Sequence, residues 1–282
     1  MLINSIKHLL SFFWRLHNNS VKKNIIFKNS HQGECCAIFG NGPNLRLFDF
    51  KNSKLEMKKI GINWSYLHQH FYKNYFDYYI IPDTYNLYKL IKNNYNHKIQ
   101  KNYRSKIWKQ FICNNQQTVF FCNLSNFYAT RNFKNMYYLT NHFTKFNKNS
   151  FNQKFDMDRD FDYTTSSLEN SIGVAKYMGF KSIYLLGFDY LSTPKNEGHF
   201  YSSYKIIQGK PATKEYIDRI VNATRNIEIN LVLPKGYYSN FFNSVSIEEF
   251  TKNKQLIDLQ KNFFNTKYLY LYKKAKSYNQ IF

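Results

Sequence analysis

The chain has only four cysteines, five prolines and ten glycines in 282 residues, and only 18 acidic side chains against 40 basic ones. Cys35, Cys36, Cys113 and Cys122 form no C-x-x-C pair, which excludes a cysteine-built zinc site or a disulfide framework. Adjacent Cys35 and Cys36 sit in an apolar run and read as small core residues of a reducing compartment. No apolar run approaches the roughly 20 residues that span a bilayer. The opening stretch, MLINSIKHLLSFFWRLHNNSVKK, is expected not to be a secretory leader. Its apolar run between His8 and Arg15 is brief, and no small-residue cleavage site follows. Ile6, Leu9, Leu10, Phe13 and Trp14 recur at helical spacing ahead of Lys22 and Lys23. That pattern fits a membrane-surface helix or a helix packed on the protein's own core. Internal repeats and Pro- or Ser-rich linkers are missing too, which leaves one large domain with additions.

What is there is apolar, aromatic and basic. Hydrophobic residues make up 43% of the chain, including 25 tyrosines and 27 phenylalanines, enough for a substantial core and too many for global disorder. The abundance of Asn, Lys and Ile is the bias an AT-rich genome imposes, so part of the net charge of +22 reflects composition. The remainder is a positive surface suited to phosphates, acidic sugars, lipid headgroups or nucleic acid.

Seven strand-like runs recur along the chain: CCAIFG, KKIGIN, FDYYIIP, TVFFCN, MYYLT, KSIYLLGFD and IEINLVLP. They are rich in β-branched and aromatic residues and several are apolar on both parities, as strands covered on both faces are. Helices are expected at 83–95, opening at Asp83 as N-cap; at 166–178, with serines at its start and Gly179 at its end; and at 212–225 after Pro211. Alternation of this kind predicts an α/β fold: a Rossmann-like, mostly parallel sheet with helices on both faces. The expected division is an N-terminal amphipathic helix and linker (1–33), the sheet domain (34–245) and a helical extension (246–282). Segments 141–163 and 190–210 read as loops or lids.

In an open parallel sheet, ligands bind beyond the carboxyl ends of the strands. There the chain places Gly40-Asn41-Gly42-Pro43-Asn44, then Asn63, then Asp83, then Thr165-Ser166 before a helix, then Gly187-Phe188-Asp189-Tyr190, with His199-Phe200-Tyr201 soon after. Each alone is an ordinary turn, cap or surface side chain. Together they would meet on one edge. Glycines allow close backbone approach, amide N–H groups and helix N-termini bind anions, and Asn side chains offer paired donor and acceptor atoms.

The segments AIFGNGPNL, GIN, TTSSLENSIGVAKYMGFKSIYLLGFDY and HFY resemble the bacterial sialyltransferases of glycosyltransferase family 42, the Campylobacter-type lipooligosaccharide enzymes. They also resemble a broader group of DUF115-like, flagellin-modifying glycosyltransferases. The resemblance covers roughly residues 34–245 as motifs. It implies a single nucleotide-binding domain of a GT-A-like variant that moves sialic acid, or a related acidic sugar, from a CMP-activated donor to a lipooligosaccharide or capsule glycan with inversion. It assigns donor contacts to Gly40, Asn41, Gly42 and Pro43, to Asn63, to Asp83 in place of a family Asn, to Thr165 and Ser166, and to Gly187, Phe188 and Asp189. It makes His199 the catalytic base that takes the acceptor proton. The family's phosphate-supporting Tyr aligns with Leu191, leaving Tyr190, Tyr201 or Tyr204 to substitute. The family's Arg aligns near Tyr163, with Arg159 as a stand-in.

The resemblance implies no cofactor and no metal. Asp156-x-Asp158 has the D-x-D spacing that suits Mg²⁺ or Mn²⁺, but it follows no strand. Expected partners are a nucleotide-sugar donor and a glycan or glycolipid acceptor. The expected location is the cytoplasm, with peripheral contact at the inner membrane and a homo-oligomer left open. Two alternatives stand beside this reading. One is a Mg-dependent pterin-type pyrophosphokinase of the DUF115-like group. The other is a non-catalytic basic protein that binds nucleic acid or membrane. Nucleic acid is disfavoured because the basic residues are scattered and no RNP-like or zinc motif occurs.

Overall fold

The computed structural model describes residues 17–51, 53, 55–68, 71–82, 87, 98–140, 153–162, 164–201, 207–208 and 213–252. The expected helix at 83–95 (Leu87 apart), Asp83, Tyr163, Tyr204, residues 141–152, the N-terminal apolar stretch and the chain beyond Lys252 lie outside the described residues.

All seven expected strands form. They are β1 (Cys35–Phe39), β2 (Lys58–Ile62), β3 (Tyr78–Ile81), β4 (Val119–Asn123), β5 (Met136–Leu139), β6 (Ser182–Leu186) and β9 (Glu228–Leu233). Not expected from the sequence were β10 (Asn243–Ser246) and the short antiparallel pair β7 (Asn196–Glu197) and β8 (Ile207–Gln208). The main sheet has the order β10-β9-β6-β1-β2-β3-β4-β5, and every neighbouring pair in it is parallel. The chain steps outward from β1 to β5 on one side, then returns to lay β6 against the other side of β1. The reversal leaves a crevice beyond the carboxyl ends of β1 and β6, where ligands bind in doubly wound sheets.

The periodicity of β1 shows why the sheet is buried on both faces. Cys36 and Ile38 belong to one apolar cluster, with Ile172 and Ile183. Ala37 and Phe39 belong to the other, with Phe48, Tyr79 and Phe111. Burying a large apolar side chain contributes about 1.5–3 kcal/mol, so each strand is held from both sides. Helix α1 (Lys98–Asn114), also not expected from the sequence, covers the second face with Trp108 and Phe111. Its basic, aromatic sequence lacks a clean 3.6-residue stripe. After the short helix α2 (Phe127–Thr130) come α3 (Ser167–Tyr177), α4 (Lys214–Ala223) and α5 (Ile247–Thr251). Helices α3 and α4 sit inside the predicted spans, and α5 opens with the capping box Ser246–Glu249. Beside the sheet, residues 153–162, the described part of the 141–163 segment, form a stretch without helix. Phe155 and Phe161 bridge one another across it, and with Met157 they are buried, packed close to Gly173 of α3.

A candidate active site at the carboxyl edge of the sheet

A cavity of about 740 Å³ opens over the crevice. Gly40, Asn41 and Gly42 from the β1 loop line it, with Asn63 after β2, Ser166 at the head of α3, Gly187, Phe188, Asp189 and Tyr190 after β6, and His199. Ile62, Ser167, Leu168, Gly198, Thr213 and Tyr216 complete the wall. The structure thus brings together ten of the residues singled out in the sequence. They come from positions up to 159 residues apart (40 to 199).

Three amides of the β1 loop bond inward, to the protein itself. Gly40 N–H donates to Leu186 O (2.7 Å), Gly42 N–H to Gly187 O (2.7 Å) and Asn44 N–H to Asp189 Oδ1 (2.8 Å). Three amides are therefore spent on the β6 strand and loop. The glycines serve closeness instead. A Cβ on Gly40 would lie 2.5 Å from Gly187 O, and one on Gly42 would overlap Asp189 Oδ2. Gly187 adopts φ +71°, a left-handed conformation that glycine takes freely. Pro43 opens the 3-10 turn Pro43–Leu47 and is not part of the cavity wall. What the loop offers a ligand is Asn41, which is buried with its Oδ1 unpartnered.

Asp189 is the post behind this loop. It is buried at 1% exposure, accepts the Asn44 amide and leaves Oδ2 unpartnered. Burial raises its pKa to about 7, opposed by the hydrogen bond from the Asn44 amide, its own backbone and the Arg46 charge. Arg46, for which the sequence offered no signal, also donates from Nε to Phe200 O (2.7 Å).

His199 is attached to the same loop. Phe200 N–H donates to Asn41 O (2.8 Å), Phe200 is fully buried, and the His199 ring stacks on Tyr201 at 4.9 Å. The imidazole sits at the exposed rim of the cavity. Partial desolvation lowers its pKa, while a hydrogen bond with the Asn41 backbone raises it. A ring N–H given to that carbonyl leaves the other nitrogen as an acceptor. Tyr201 itself is a buried support beneath His199 and does not line the cavity, contrary to its expected catalytic place.

The opposite wall is built at the head of α3. Asn63 holds φ +52°, a conformation Asn tolerates better than most residues. Its Oδ1 accepts from Ser167 Oγ (3.0 Å), so its amide nitrogen is the group left for a ligand. Ser166 is the N-cap and accepts from Glu169 N–H (3.1 Å). Thr165, expected as a donor contact, points elsewhere. Its N–H and Oγ1 both donate to Glu169 Oε2, at 2.6 and 3.0 Å. Glu169 is fully buried and pairs with Arg219 of α4 at 2.5 Å. It also receives Gln153 Nε2. This network was illegible in sequence because α4 lies 50 residues from Glu169. So was Tyr216, whose hydroxyl meets those of Tyr190 (2.9 Å) and Ser166 (3.1 Å).

Arg159 and Asp158 of the D-x-D pair lie elsewhere. Asp158, Arg159 and Asp160 line a separate cavity of about 560 Å³ with Asn18, Lys22 and Ile25. Asp158 accepts from Tyr177 OH (2.6 Å) and faces Arg159 Nε at 3.7 Å. Asp158 is tied to α3 and Arg159 to Asp158, away from the β1/β6 cavity, so Arg159 does not stand in for a donor-site arginine. Among the described residues, no group of three His, Cys, Asp or Glu is placed to hold a metal ion, and no helix is long and apolar enough to cross a membrane.

No protein-family profile matches the chain, and no curated protein matches it. Several solved structures are similar. The sialyltransferase CstII from Campylobacter jejuni in complex with cytidine-5'-monophosphate, described as a substrate analogue, is 17% identical with a TM-score of 0.46. The match covers 86% of this chain and 99% of that one. The sialyltransferase CST-II in complex with trisaccharide acceptor and CMP is 18% identical, with a TM-score of 0.48 and the same coverage. The monofunctional alpha-2,3-sialyltransferase Cst-I from Campylobacter jejuni is 20% identical, with a TM-score of 0.45 over 89% of this chain and 96% of that one.

Proposed function

We propose that the chain is a glycosyltransferase that takes a sugar from a CMP-activated donor, sialic acid or a related acidic sugar, and delivers it to a glycan or glycolipid acceptor with inversion. The observation that supports this most is the convergence of Asn41, Asn63, Ser166, Asp189 and His199 on one cavity at the β1/β6 crevice, the ligand position of this sheet type. In this reading Asn41 and Asn63 contact the nucleotide, because each keeps a polar amide atom unspent at the wall. Gly40, Gly42 and Gly187 let that wall close tightly. The acceptor hydroxyl gives its proton to the His199 nitrogen that does not bond Asn41, as its oxygen attacks the anomeric carbon, and the bond to the CMP phosphate breaks with its electron pair. Burial lowers the imidazole pKa, which favours the neutral form able to accept a proton. The Ser166 hydroxyl on the α3 side lines the same cavity and can face an anionic oxygen of the donor.

A thermal-shift screen of CMP, UDP, GDP and ADP tests the donor assignment. CMP should raise the melting temperature more than the others, and the donor assignment fails if it gives no shift. His199→Ala should still bind CMP while transfer falls about 10²- to 10⁴-fold; transfer at the normal rate would remove His199 as base.

We also propose peripheral membrane contact. Ile25 and Ile26 are exposed at 50% and 62% between exposed Lys22, Lys23 and Lys28, an arrangement suited to an anionic lipid surface. Co-sedimentation with phosphatidylserine vesicles but not phosphatidylcholine vesicles is the expected result, and equal partition would remove the claim.

A further inference from the structure

Three hydroxyls form a chain with a fixed direction on the α3 wall. Tyr216 OH donates to Ser166 Oγ (3.1 Å). Having given its one proton there, Tyr216 can only accept at the 2.9 Å contact with Tyr190, so Tyr190 donates. Ser166 Oγ also accepts the Glu169 amide. A hydroxyl has two acceptor lone pairs and one donor proton, so both Ser166 lone pairs are filled. Its own O–H is the remaining hydrogen-bonding capacity, and Ser166 lines the cavity. The direction Tyr190→Tyr216→Ser166 therefore ends in a donor, which matches an acceptor oxygen and not another donor.

We propose that Tyr216 is a positioning residue that commits the Ser166 hydroxyl to donate to an anionic oxygen of the substrate. This rests on the CMP-sugar reading above. It goes beyond that reading by assigning a role to a side chain on α4, which enters the site only in three dimensions. The shared chemistry is an anionic oxygen, with two sources in an activated acidic sugar: the phosphate and the sugar carboxylate. Without Tyr216, one Ser166 lone pair is open and its proton is no longer directed. Binding of the anionic part should weaken while binding of the neutral nucleoside stays as it was.

The test is calorimetric titration of wild type, Tyr216→Phe, Ser166→Ala and the double variant with cytidine, CMP and CMP-sialic acid. Melting temperatures taken without ligand check that each variant is folded. Tyr216→Phe should bind CMP-sialic acid about three- to tenfold more weakly, the size of one hydrogen bond, with cytidine unchanged. A loss already seen with CMP identifies the phosphate, and a loss seen only with CMP-sialic acid identifies the carboxylate. The double variant should bind no worse than Ser166→Ala, because Tyr216 acts through Ser166. Tyr190→Phe, which spares the Tyr216–Ser166 bond, should cost less than Tyr216→Phe. Additive losses, an equal loss for cytidine, or unchanged affinity for all three ligands would overturn the proposal. Wild type that binds none of the three sinks the CMP-sugar reading and this inference together. Wild type that binds all three while Tyr216→Phe binds them equally sinks the inference alone.

Discussion

The two walls of the cavity are made by opposite means. On the β1/β6 side the backbone does the work. Gly40 and Gly42 press against Gly187 and Asp189 so closely that a methyl group has no room, and three loop amides are consumed in the contact. On the α3/α4 side, side chains do it. Glu169 gathers Thr165, Gln153 and Arg219, and Ser166, Tyr216 and Tyr190 are linked hydroxyl to hydroxyl. A sterically made wall is rigid, and it fails by overlap. A hydrogen-bonded wall is polar and directional, and it fails when a buried partner is left alone.

The largest expected effect breaks the polar wall. Arg219→Ala leaves the fully buried Glu169 carboxylate without its cation, which should cost about 3–5 kcal/mol by chemical denaturation. Replacing both partners with apolar residues of similar volume should cost less, since no charge is then stranded and the loss is confined to the Thr165 and Gln153 donors that Glu169 accepted. Gly42→Ala attacks the other wall. Its Cβ would come within 2.7 Å of Gly187 O as well as overlapping Asp189, so a loss of about 1–3 kcal/mol is expected. Asp189→Gly in the same chain should restore part of that stability by removing one of the two obstacles. No recovery in a two-by-two stability cycle would count against the steric account.

A subtler probe uses proton linkage at Asp189. Its folded pKa stands at about 7, against about 3.9 for an unfolded aspartate. Between those values the folded state holds a proton that the unfolded state has released. Stability from this group is therefore fully present below about pH 4 and declines as pH rises towards 7. Asp189→Asn cannot ionise, so relative to wild type it should gain stability steadily as pH rises from about 4 to about 7, at a slope on the order of 1 kcal/mol for each step of one in pH. Parallel stability curves for the two proteins would refute the buried, unpartnered account of Oδ2. The smallest expected effect is at Asn63, where alanine loses the hydrogen bond from Ser167 and should cost about 1 kcal/mol.

The difference between the walls is also a difference in legibility. G-N-G-P-N and G-F-D can be read because each loop follows its strand directly, and the strands announce themselves by apolar content on both parities. Thr165 misleads because its local sequence suits a ligand contact and a capping role equally, and the buried Glu169 claims it. Arg159 misleads because proximity in sequence to Thr165 stands in for proximity in space. Tyr216 carries no local signal at all: an aromatic in the first turn of an amphipathic helix looks like any core tyrosine.

Seven of the eight strands of the main sheet, the α3 and α4 spans and the edge where polar loops collect are legible in the sequence alone. These follow from nearest-neighbour chemistry, namely the period of apolar residues, capping serines, and glycine where the chain turns. Only the tertiary structure decided which polar atoms are spent and which remain. It made the glycine loop a tightly packed junction of two strands, hung His199 on the Asn41 carbonyl, and gave the Ser166 hydroxyl its direction from an α4 tyrosine. A hydrogen bond has one donor and one acceptor, and which pairs form depends on atoms that meet only once the sheet has brought distant segments together.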